Sequence, residues 1–419
     1  MDLRVVGKRL PRHDALQQVT GKVIYGEDLY RPKMLYAKAL YSEYAHAEIK
    51  GIDLSEAAKM PGVKAIITAR DVPYNRFGLS HKDEPVLADD KVRFKGDAVA
   101  VVAAESLAQA NEAVRRIKVA YKPLTPVLDP FAGMKDEVLV HENTNIASHI
   151  KIRKGDIEVG FARAALIVEE KYTTQKVEHC PIEPHVALAE LESDGKLVIW
   201  TSTSRPYSYT THLSEILQLG MNWYKVKTPA VGGSFGAKNE VTLEPWVALL
   251  ALKTKRPVKM VFTREEEFSV SSVRHPYWMK YKTGVTGDGL ITAREIELIS
   301  DNGPYVGLGF QTLTKAAVHA AGPYAIANIK TDAYLVYTNT AVGGAMRGFG
   351  VPQVCFAHES HTDSIAHKLG MDPVEFRLKN IFGDVGEMPT GQTVKSKPLK
   401  QSIFRALELE RCGGEEDCR

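Results

Sequence analysis

The chain has 419 residues, of which 44% are hydrophobic and 25% charged, and a formal net charge of +3. That length holds two or three domains, and the near-neutral balance excludes the basic footprint of a nucleic-acid or membrane-surface binder. No apolar run is long enough for a membrane span, the start has no secretory apolar core, and four scattered cysteines form no CxxC pair. The reducing cytoplasm is the expected compartment, and no iron–sulfur cluster is expected on this chain.

Taken in chain order, residues 1–130 read as a small α+β domain. Met34-Leu-Tyr-Ala-Lys-Ala-Leu-Tyr41 alternates like a strand, Val63 to Ala69 is a second, and Ala98 to Ala103 a buried third. Ser106 to Ile117 predicts a helix, with Ala110, Ala113, Val114 and Ile117 on one stripe. The proline-rich stretch from Tyr121 to Pro130 reads as an exit, and residues 131–160 as a linker.

A second domain is expected over 161–405, followed by a polar tail at 406–419. Strands are predicted at Ala187–Leu191, Leu197–Thr201 and Lys225–Pro229, and helices at Thr211–Leu219 and Glu240–Thr254. Met279–Thr286, the Gly287-Asp-Gly289 turn and Ile291–Ile299 predict a hairpin. A strand at Thr331–Tyr337 is followed by a helix from Gln353 to Leu369, stopped by Gly370. Asp372-Pro-Val-Glu375 starts another helix.

Two glycine-rich segments stand out: Val231-Gly-Gly-Ser-Phe-Gly-Ala-Lys238, and the run from Ala341 through Gly343, Gly344, Gly348 and Gly350 to Gln353. Each follows a strand, precedes a helix, and carries one phenylalanine and one cation. Glycine permits positive φ and close backbone approach, so the pair points to a polar ligand held by main chain. Neither is a known phosphate loop. Counting from Gly232, the second Walker glycine falls on Ala237; counting from Gly348, the third Rossmann glycine falls on Gln353.

Metal motifs fare no better. His358-Glu-Ser-His361 has one residue too few for a zincin helix, and His361 fits a buried stripe with Val354, Ala357, Ile365 and Leu369. His179, Cys180, Glu183 and His185 are interrupted by Pro181 and Pro184, which favours an irregular connection near a cleft. Arg264-Glu-Glu-Glu267 with Arg274-His275 reads as a solvated surface turn. The residues alone therefore stop at an α+β protein with two main-chain cradles.

Together these segments resemble the molybdopterin-binding large subunit of the xanthine dehydrogenase/aldehyde oxidase family. The matching pieces, in order, are Val19-Thr-Gly-Lys-Val-Ile-Tyr-Gly-Glu-Asp28, Glu178-His179 with Glu183-Pro-His185, Gly232 to Lys238, Thr263-Arg-Glu-Glu266 with Arg274-His-Pro276, Asp301-Asn-Gly-Pro-Tyr305, and Met346 to Gln353. The resemblance implies an N-terminal α/β hammerhead domain followed by the first molybdopterin-binding domain. It also implies molybdenum with molybdopterin, in bacteria usually the cytosine dinucleotide form, and hydroxylation of carbon with water-derived oxygen. Electrons would pass to [2Fe-2S] and FAD on partner subunits.

Carried over by position, Ser204, Gly233, Phe235, Gly236, Met346 and Arg347 would lie at the cofactor, and Asn239, Lys315 and Phe349 in the substrate pocket. No side chain is expected to ligate the metal. Departures accompany the match. Ser204 stands where the family commonly has a glutamine whose amide reaches a molybdenum ligand, and Asn239 where xanthine enzymes bind purine with a glutamate. The family's Gly-x-Gly-Glu motif, whose glutamate is the general base, does not occur in the 419 residues. No catalytic base is expected here, and a second molybdopterin-binding partner carrying that glutamate is. Asn75-Arg-Phe-Gly78 and Lys82-Asp-Glu-Pro85 are similar to family members whose large subunit is split. The implied activity is hydroxylation of an aromatic N-heterocycle of nicotinate or purine type. An aldehyde oxidoreductase and a non-catalytic cofactor-holding subunit remain the alternatives.

Overall fold

The computed structural model describes residues 3–395 and 397–411. The predicted tail residues 412–419, with Cys412 and Cys418, lie outside them. Residues 406–411, read as the start of a polar tail, belong to a helix, Lys397–Arg411.

A seven-stranded mixed sheet carries the first core. Its order is Tyr224–Lys227, Leu197–Thr201, Val186–Leu191, Val258–Val261, Leu35–Tyr41, Ala98–Ala104 and Val63–Thr68. The join between the two sequence regions is the parallel pairing of Leu35 and Tyr36 with Val258 and Lys259. The N-terminal region and the region that follows it thus share one sheet. The helix Glu244–Thr254 explains why. Its residues 244–251 are all buried, as a helix apolar on every side requires. Trp246 and Leu250 share one core with Leu35, Ala37 and Ile67 from the N-terminal region and Ala187 and Ile199 from the second. A Leu→Ala change in such a core costs about 2–5 kcal/mol.

The second core lies under a five-stranded sheet, ordered Ile146–Lys154, Asn328–Tyr337, Ile291–Gly303, Tyr277–Val285 and Leu166–Thr174. The predicted hairpin is its centre, with Tyr277 to Val285 antiparallel to Ser300 to Ile291. Helices Gly309–His319 and Val351–Leu369 pack on it through Leu313, Val354 and Ile365. The segment read as a linker is corrected here: Ile146–Lys154 pairs with residues 329–336 as an edge strand. Only Ile152 of that strand is buried, so the alternating apolar signal is missing from the sequence. The proline-rich exit likewise contains part of a strand, Lys118–Pro123, paired with Ala47–Asp53.

Each glycine segment hangs from a different sheet. The first follows Tyr224–Lys227 of the large sheet, and the second follows Asn328–Tyr337 of the five-stranded one.

Candidate cofactor cradle at the junction of the two sheets

The two glycine segments meet backbone to backbone. The Arg347 amide donates to the Phe235 carbonyl at 2.7 Å. Gly236 sits at φ +115, and a Cβ there would collide with the Ala345 carbonyl and lie 2.9 Å from the Met346 Cα. Gly233 is also at positive φ, +104. Phe235 and Phe349 themselves occupy the left-handed region, at φ 52 and 54, a conformation rare for bulky side chains. Phe235 is 48% exposed.

Buried charge holds the first segment from behind. Glu183 accepts from the Gly232 amide at 2.8 Å and the Gly26 amide at 3.1 Å. It also pairs with Lys238 at 2.9 Å. The Lys238 ammonium is fully buried and donates to the Glu183 carbonyl as well. Burial lowers its pKa and the Glu183 pairing opposes that shift. Lys238 is therefore a strut, not the ligand-facing cation that its place among the glycines implies. His185 continues the brace: Nδ1 meets Glu267 Oε1 at 2.8 Å, and Nε2 approaches the Ala237 carbonyl at 3.2 Å.

The segment read as a solvated turn is corrected by the same contacts. Thr263 and Glu266 form a capping box on the helix Arg264–Val270, and Glu266 pairs with Lys38 at 2.7 Å. Glu267 is wholly buried. Burial raises its pKa, but His185 outweighs it and the net shift is downward. Charge-dense sequence marks a surface only when its partners are water.

Neutral acceptors hold the second segment. Arg274 donates from Nη2 to the Arg347 carbonyl at 2.7 Å, from Nη1 to Gln353 at 3.2 Å, and lies 3.2 Å from the Met346 sulfur. Gln353 returns a bond to the His275 carbonyl, and His275 meets Asn302 at 3.1 Å. Ring atoms of His275 occupy the space a Cβ at Gly343 would need. His179 Nε2 reaches the Ala345 carbonyl at 2.7 Å, so the Glu178–His185 stretch touches both segments.

The other predicted residues fall around this junction. Ser204 is exposed, and its amide donates to the Lys238 carbonyl at 3.2 Å. The Asn239 amide donates to the Gly236 carbonyl at 3.2 Å. Met346 is half-buried and the Arg347 side chain exposed. Lys315 is exposed on the helix Gly309–His319, whose Thr312 and Ala316 back onto Gly350. Glu240, which sequence reasoning passes over, lies between the two segments, with Oε2 2.9 Å from where a Cβ of Gly344 would stand. Burial pushes its carboxyl up to about 7, against the backbone of Leu308 and Ala345, which pulls it down. Its one signal in the sequence is an acid directly after a glycine motif.

The arrangement fits a large cofactor held by main chain. The buried Ser234 Oγ and His179 Nδ1 have no partner among the described residues, and both lie at the first segment or the stretch that braces it. Orphaned polar atoms beside a glycine cradle are what a polar ligand would satisfy. The histidine clusters behave differently. His361 is fully buried and bonded to Thr283 at 3.0 Å within the five-stranded sheet's core. No group of three metal-ligating side chains occurs among the described residues.

Comparison with known proteins agrees with this geometry. Residues 140–381 match the family model of the molybdopterin cofactor-binding domain, and residues 20–125 that of the aldehyde oxidase and xanthine dehydrogenase a/b hammerhead domain. The chain belongs to the xanthine dehydrogenase/aldehyde oxidase family. It is 38% identical over 410 residues to the nicotinate dehydrogenase large molybdopterin subunit of Eubacterium barkeri, covering 97% of this chain and 96% of that one. It is 40% identical over 372 residues to a probable xanthine dehydrogenase subunit of Bacillus subtilis, covering 88% and 50%. The solved aldehyde oxidoreductase of Desulfovibrio gigas superposes with a TM-score of 0.91 at 33% identity, covering 97% and 47%. The chain thus spans nearly all of the first and about half of the other two. The expected order, hammerhead region then first molybdopterin-binding region, is the observed one. Among the described residues no helix is long and apolar enough to cross a membrane.

Proposed function

We propose that this molybdopterin-binding chain is one half of the active site of a molybdenum hydroxylase acting on an aromatic N-heterocycle of nicotinate type. The observation that carries the reading is the 2.7 Å bond from the Arg347 amide to the Phe235 carbonyl. It brings two glycine segments from separate sheets into one cradle with a phenylalanine on each. Likeness along almost the whole length to a nicotinate dehydrogenase subunit supports the choice of substrate class.

In this reading Gly233, Phe235, Gly236, Met346 and Arg347 hold molybdopterin, in its cytosine dinucleotide form, by main chain. When bound, the cofactor supplies a Lewis-acid centre and a two-electron acceptor. The reaction balances as RH plus water giving ROH, two protons and two electrons. Phe349 is a wall for a flat ring, which offset stacking favours. Asn239 offers an amide and Lys315 a cation at the substrate side. Ser204 places a short hydroxyl where the family's longer amide reaches, so its contact to the metal's ligands runs through water or is lost. One proton would go to a glutamate on a second molybdopterin-binding partner and the other to solvent. The electrons go to [2Fe-2S] and FAD subunits, and the complex works in the cytoplasm.

The test is metal analysis and turnover of the complex purified with its co-expressed neighbours. Stoichiometric molybdenum and oxidation of nicotinate support the proposal. Molybdenum with turnover of aldehydes alone moves the chain to the aldehyde oxidoreductases. Absence of molybdenum sinks both.

A further inference from the structure

A narrow cavity opens beside the cradle, between Asn239 and the start of the helix Pro206–Leu217. Its polar lining comprises Arg205, Ser208, His212, Asn239, Glu84 and Glu240. Arg205, Ser208 and His212 follow the 3- and 4-residue spacing of one helix face. The Arg205 guanidinium makes no hydrogen bond or ion pair among the described residues; only its backbone is engaged, by Thr203, Ser208 and Tyr209. His212 Nδ1 is buried and without a partner there. Arg205 acts at a distance on the buried Glu240 carboxyl, yet its guanidinium has no hydrogen-bond acceptor among the described residues and stands beside an orphaned imidazole, which leaves donors that a ligand could satisfy.

Resting on the substrate side assigned above, we propose that Arg205 anchors the carboxylate of an aromatic acid substrate, with Ser208 and His212 as accessory hydrogen-bonding groups. The cavity volume, about 30 Å³, exceeds what one ordered water requires. It takes the two oxygens of a carboxylate and leaves the ring outside. A guanidinium fork matches those oxygens in geometry as well as charge. The neighbouring acids do not pre-empt it. Burial raises Glu240 to about 7 and Glu84 well above the carboxylate range. The raised values reduce the negative charge that both acids present to the cavity, increasingly so below pH 7, and neither lies within ion-pair distance of Arg205. Specificity follows from pairing: a site built for a carboxylate loses a charge-assisted bond with the amide analogue.

The proposal is tested by binding of benzoate and benzamide to the purified complex, followed by saturation-transfer NMR. The metal is not needed for this measurement. Wild type is expected to prefer the acid, and Arg205→Met to weaken benzoate about ten- to a hundredfold. Benzamide binding should stay within about twofold in that variant, with partial retention of benzoate in Arg205→Lys. Equal loss of acid and amide, no loss of either, or equal competition by inorganic phosphate overturns the assignment. Acid preference without turnover separates a sound anchor from a failed reaction assignment, and turnover without acid preference separates the reverse.

Discussion

The two glycine segments do the same geometric job by opposite means. The first is held by charge taken out of water: Lys238 against Glu183, and the Glu267 carboxylate against the His185 imidazole. The second is held by backbone pairing of Gly343 and Gly344 with Val273 and Arg274, by His179, and by the Arg274 side chain spread over a carbonyl, an amide oxygen and a thioether. A buried ion pair adds little net stability when both members are present, yet losing one member leaves a naked charge. Arg274 is only partly buried, and none of those three acceptors carries a charge. The first segment should therefore be brittle and the second forgiving.

Lys238→Met breaks the comparison at its strongest point. It leaves the Glu183 carboxylate buried with two backbone amides, and a cost of about 3–5 kcal/mol is expected in urea unfolding. Adding Glu183→Gln should recover part of it, since the pair couples. Full additivity would mean that the ion pair is not what holds the segment.

Glu240 belongs to neither segment and titrates between them. Its native pKa of about 7 lies above the 4.5 of an ordinary glutamate. Its contribution is present below about 4.5 and is lost as pH rises through 7. Stability measured for Glu240→Gln minus wild type should grow by up to about 3 kcal/mol over that window and stay flat above it. A flat difference throughout would place the Glu240 carboxylate in contact with water.

Arg274→Met is the mildest change. It removes a charge without stranding an opposite one, and about 1.5–3 kcal/mol is expected. A loss as large as that of Lys238→Met would erase the contrast between the segments.

Much of the fold is readable from residue order, because its central strands and helices bury regular stripes. The Tyr277–Val285 hairpin falls where alternation and its turn residues put it, and the helices Glu244–Thr254 and Val351–Leu369 overlap the predicted Glu240–Thr254 and Gln353–Leu369. What escapes is polar at the surface or irregular in partner. The edge strand Ile146–Lys154 faces water on most of its length, so its period is invisible. The helix Arg264–Val270 reads as solvated because its partners, His185 and Lys38, stand far away in sequence. The cradle shows itself through glycine, which leaves a mark in sequence. The struts behind it are ordinary Glu, Lys and His, whose roles depend on pairing that no local pattern encodes. The shared sheet, joined at Leu35 and Val258, is long-range pairing of the same kind.

The most direct measurement is the molybdenum and pterin content of the purified complex in wild type and Gly236→Val. A side chain there meets the Ala345 carbonyl and must adopt φ +115, so the two segments cannot close on each other. Stoichiometric cofactor is expected in wild type and its loss in Gly236→Val, with the far-ultraviolet circular dichroism of the two proteins alike. Equal cofactor in both, or none in wild type, would refute the cradle.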